Sequence, residues 1–88
     1  MRIGSENWLE AQNSVLGAAL IEPKVVPRVL AALREDDFSG ACRTVFQAMR
    51  EVFDSGFPVD PVSVAAKLGA EYKPLLVDLM NITPTAAN

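Results

Sequence analysis

Apolar residues recur along this chain mostly at steps of three and four, the spacing of one face of an α-helix. Strand signals are absent. Ser5 is the expected N-cap of a first helix, whose inward residues are Trp8, Leu9, Gln12, Leu16, Ala19 and Leu20. Gly17 falls inside that run at a cost of about 1 kcal/mol relative to alanine. It is explained either by a second helix crossing close by or by simple tolerance. Pro23 and Pro27 punctuate the next segment. Proline has no N–H to donate, which matters little in a first helical turn and a great deal later. Pro27 is therefore placed in a first turn, and the second helix starts near Val25 with Val26, Val29, Leu30 and Leu33 facing inward. Glu35-Asp36-Asp37 makes a connection after Arg34, or stands ahead of the next helix where its dipole favours acids. Phe38 is expected to anchor that connection in the core.

The third helix has the clearest pattern. Cys42, Val45, Phe46, Met49, Val52 and Phe53 form one continuous apolar face, with Thr44, Gln47, Arg50, Glu51 and Asp54 on the other. Ser39 suits its N-cap, Gly56 the left-handed position after its end, and Pro58 blocks continuation. Asp60 and Pro61 then open a short fourth helix as N-cap and first residue, with Val64, Ala65 and Leu68 inward and Gly69 at its end. A fifth helix runs from Glu71 or Pro74 to Ile82 and buries Tyr72, Leu75, Leu76, Leu79 and Met80. Thr83-Pro84 stops it, because the residue before proline avoids the helical region. The expected fold is all-α, a compact orthogonal bundle of five to six short helices forming a single domain over residues 1–88. Thr85-Ala86-Ala87-Asn88 reads as the start of another helix with nothing after it, as in a domain cut from a longer protein.

Composition narrows the chemistry. The 88 residues include no His and one Cys, Cys42, so neither a His/Cys zinc site nor an intrachain disulfide is available. A nucleophile paired with histidine is excluded as well. No glycine-rich phosphate loop of the G-x-x-x-x-G-K-[ST] kind occurs. Cys42 is expected to be buried as a small hydrophobe. The adjacent acids Asp36 and Asp37 read as solvated surface and not as a metal or acid–base pair. A chain this short buries only about 60–65% of its unfolded surface, so stability on the order of 5 kcal/mol is expected. There is no apolar run of about 18 residues and no basic-then-apolar leader, so neither a membrane span nor a signal peptide is expected. The cytoplasm is the expected location.

Charge bears on partners. Eight basic residues face eleven acidic ones, a net charge of −3. Residues 35–60 hold Glu35, Asp36, Asp37, Glu51, Asp54 and Asp60 against Arg43 and Arg50. Affinity for nucleic acid comes largely from Lys and Arg neutralising phosphates, so strong direct binding of DNA is disfavoured. A helix-turn-helix DNA binder is the alternative that helices near 42–55 and 61–68 would allow. A recognition helix brings Arg, Lys, Asn or Gln to base edges, and residues 61–68 offer only Ser63 and Lys67.

Three stretches together resemble the N-terminal domain of bacterial replicative DNA helicases of the DnaB type. Leu9-Glu10-Ala11-Gln12-Asn13-Ser14-Val15-Leu16-Gly17-Ala18 is similar to that family's opening "AEQSVLGA" helix. Pro58-Val59-Asp60, followed by Val62, Val64, Ala65 and Leu68, resembles its "PVDLVTVAEEL" segment. Leu79 through Pro84-Thr85-Ala86-Ala87-Asn88 is like its "L...VPTAAN" close, and Asp37-Phe38 and Val45-Phe46-Gln47-Ala48 fall at matching spacing. Two departures stand out. Only Gly69-Ala70-Glu71-Tyr72-Lys73 precedes the fifth helix where relatives carry a longer Gly-Gly connection. Phe57 stands where a small or polar residue is more usual.

The resemblance implies a non-catalytic assembly and partner-docking domain of a hexameric helicase. It implies subunit contacts and engagement of primase, with ATP and Mg used by a separate C-terminal motor domain and no cofactor in this chain. The helical hairpin and linker would follow Asn88. The motif residues carried over are Leu9, Gln12, Val15, Leu16, Gly17, Phe38, Phe46, Gly56, Pro58, Asp60, Leu68, Pro84 and Asn88. Trp8 and Phe57 are the candidate interface residues, each with core packing as its alternative. A free-standing phage or plasmid adaptor that imitates the helicase head fits the same residues.

Overall fold

The computed structural model describes residues 5–82, and the side chains of residues 8–81. Among the described residues every regular element is helical. In order these are α1 (Ser5–Ile21), α2 (Val26–Ala32), α3 (Gly40–Asp54), α4 (Pro61–Leu68) and α5 (Lys73–Ile82). Single 3₁₀ turns at Pro23–Val25, Glu35–Asp37 and Ala70–Tyr72 link the first to the second, the second to the third and the fourth to the fifth. The short connection before α5 is thus one tight turn, closed by the Tyr72 N–H donating to the Gly69 carbonyl at 3.0 Å. The expected stop at Thr83-Pro84, the close at residues 85–88 and the motif residues Pro84 and Asn88 lie outside the described residues.

One core joins all five helices. Leu16, Val26, Val45, Phe46, Met49, Val64, Leu76 and Leu79 are its largest fully enclosed apolar side chains. α1 packs chiefly along α5, and α3 chiefly against α4. The radius of gyration is 12.3 Å, close to the roughly 12 Å expected of a folded domain this long. α3 buries Cys42, Val45, Phe46, Met49 and Val52 as its pattern predicted, and adds Ala48. Phe53 departs from the pattern. It lies in the last turn of α3, where that face is no longer covered, and is exposed. Leu9 departs for the same reason at the start of α1, which becomes buried only from Gln12 onward.

Helix ends follow their sequence signals with two exceptions. Asp60 caps α4 through Oδ1, which accepts from the Ser63 N–H at 2.7 Å, while the Ser63 hydroxyl accepts from the Asp60 N–H at 3.0 Å. This reciprocal box satisfies two amides that would otherwise lack partners. Asp60→Ala is expected to cost about 1 kcal/mol, and an unchanged melting temperature would contradict the cap. Gly56, at φ 85°, closes α3. Its N–H reaches the Phe53 carbonyl, and the Phe57 N–H reaches back to the Val52 carbonyl, the paired bonds of a Schellman motif. The first exception is Ser5, which α1 takes in as its first residue, one position inside the expected cap. The second is Ser39. Its backbone holds the N-cap position of α3, but its side chain makes no cap, because Oγ turns to Gln12 Oε1 at 3.4 Å.

Arg50 also departs from the solvated face assigned to it. Its Nη2 donates to the carbonyls of Leu30 and Leu33 at 3.1 and 3.3 Å, and its guanidinium lies 5.3 Å from the centre of the Phe46 ring. One cation therefore supplies donors to the unpaired carbonyls at the end of α2 and covers the aromatic core. Arg43 does a similar job two turns earlier on α3, donating from Nε to the carbonyls of Glu35 and Phe38.

Candidate docking surface

The motif residues do not converge on one site. Gln12, Leu16, Gly17, Phe38 and Phe46 are buried, and Val15 and Leu68 pack half-buried against the core. Gly56 and Asp60 end one helix and begin the next, with Pro58 exposed between them. Phe38 and Phe46 stack with ring centres 4.5 Å apart. The Gln12 amide is the one buried polar side chain among the described residues. Its Oε1 accepts from the Ser39 N–H at 2.9 Å, tying α1 to the start of α3 across 27 residues of sequence. Its Nε2 has no hydrogen-bond partner among the described residues.

The chemistry-bearing groups are quiet. The Cys42 thiol donates to Asn13 Oδ1 at 3.1 Å. Burial pushes its pKa up from the ordinary value, which keeps it in the weakly nucleophilic thiol form. Asp37 Oδ2 accepts from the Arg34 N–H at 2.8 Å and so closes the turn that carries it, while Asp36 is exposed. Among the described residues no cluster of three Cys, Asp or Glu side chains is placed to hold a metal ion. No described helix is long and apolar enough to cross a membrane.

What the surface offers is apolar relief around α4. A groove of about 500 Å³ lies between α4 and α5, lined by Val62, Ala65, Ala66, Leu76, Val77 and Met80 among others, with Lys73 its single charged residue. A second groove of about 480 Å³ flanks the other side of α4, where Phe57 and Pro58 face Val62 and Ala66 and Glu51, Asp60 and Lys67 stand among them. Lys67 Nζ pairs with Glu51 Oε1 at 3.1 Å on that flank. Phe57 is 66% exposed, Val62 78% and Val77 48%. Of the two candidate interface residues, Phe57 therefore projects onto this face. Trp8 is exposed on α1 and lines neither groove.

Val62 and Val77 were missed by sequence reasoning, although a signal existed for the first. Val62 and Ala66 form a second apolar stripe on α4 beside the inward Val64, Ala65 and Leu68. A helix apolar on two sides is covered on both or presents one of them.

Similarity to known proteins agrees with this architecture. Residues 5–88 match the sequence family described as the DnaB-like helicase N terminal domain. The chain is 38% identical over 88 residues to the replicative DNA helicase DnaB of Geobacillus stearothermophilus, covering 91% of this chain and 19% of that protein. It is 37% identical over 91 residues to the replicative DNA helicase DnaB of Mycobacterium leprae, covering 91% of this chain and 15% of that protein. The crystal structure of the N-terminal domain of DnaB helicase from Mycobacterium tuberculosis superposes with a TM-score of 0.78 at 36% identity, over 91% of this chain and 64% of that one. The chain thus spans no more than about a fifth of the length of these curated relatives. With its fold, its family match and its relatives in agreement, the chain belongs to the DnaB-like helicase N-terminal domain family.

Proposed function

We propose that this chain is a non-catalytic assembly and docking domain of a replicative DNA helicase. It contributes subunit contacts within a hexameric ring and a surface for primase, in the cytoplasm. ATP and Mg would act in a motor domain belonging to the rest of such a protein. One observation carries the reading: the family match runs from residue 5 to residue 88, while the exposed surface offers apolar grooves and no reactive constellation among the described residues. Support also comes from α4. Its outward residues are Val62, Ala66 and Lys67, with Lys67 engaged by Glu51, so it offers base edges little to hydrogen-bond with.

Two measurements test this. The purified chain is expected to hydrolyse no ATP above background, and hydrolysis that copurifies with it would overturn the non-catalytic reading. The C-terminal region of the cognate primase is expected to co-purify with the chain joined to its native continuation. Failure of that pairing would remove primase from the proposal.

A further inference from the structure

We draw no further inference here: the strongest candidate, the apolar groove between α4 and α5 with Lys73 as its single charged residue, carries nothing because nothing among the described residues shows what covers it.

Discussion

Phe46→Ala is expected to leave the chain largely unfolded at 37 °C. Phe46 is fully buried, stacks on Phe38 and lies beneath the Arg50 guanidinium. Truncating such a ring typically costs about 3–5 kcal/mol, through lost transfer energy and the cavity left behind. Against a total on the order of 5 kcal/mol for a domain this small, that is most of the margin. The loss should exceed that of any other single truncation in the core, because Phe46 also holds the platform on which Arg50 reaches the end of α2. In thermal unfolding followed by circular dichroism, a drop of roughly 20 °C is expected. A drop below about 5 °C would mean that the core is not organised around this ring. Phe46→Leu keeps most of the volume and should lose roughly half as much.

Gln12→Ala should be the second most damaging change, at about 3 kcal/mol. The substitution removes a buried side chain and leaves a cavity, and it also takes the acceptor from the part-buried Ser39 N–H, a loss of about 1 kcal/mol by itself. Gln12→Leu separates the two contributions. It fills the space, also removes the unpartnered Nε2, and should cost only about 1 kcal/mol. Equal damage from both variants would assign the whole effect to the lost hydrogen bond. A leucine variant as stable as wild type would show that the bond to Ser39 contributes little. Chemical denaturation at constant pH reads all three proteins.

Most of the fold was legible because short helices announce themselves through spacing and ends. The α3 face, the Asp60 cap, the Gly56 terminus and the Pro27 first turn follow from local rules that need no knowledge of the rest of the chain. The departures share one cause, which is that tertiary position decides them. Nothing in the period of α1 or α3 says where a neighbouring helix stops, so Leu9 and Phe53 carry core spacing and remain in solvent. Arg50 and Ser39 follow outward or capping patterns, yet each is recruited by a segment distant in sequence, the end of α2 for one and Gln12 for the other. The docking surface was half legible. Phe57 was marked by its chemistry beside Gly56 and Pro58. Val62 and Val77 become notable only when α4 and α5 lie side by side.

The bonds that end α3 and begin α4 also govern how Phe57 is presented. A Schellman closure fixes one end of the stretch from Ser55 to Asp60, a capping box fixes the other, and Val59 is buried between them. An aromatic ring on so short and doubly tethered a bridge has little backbone freedom to surrender when something closes over it. Recognition here would therefore forgo the ordering penalty that a loose loop incurs, and even a modest contact area could hold.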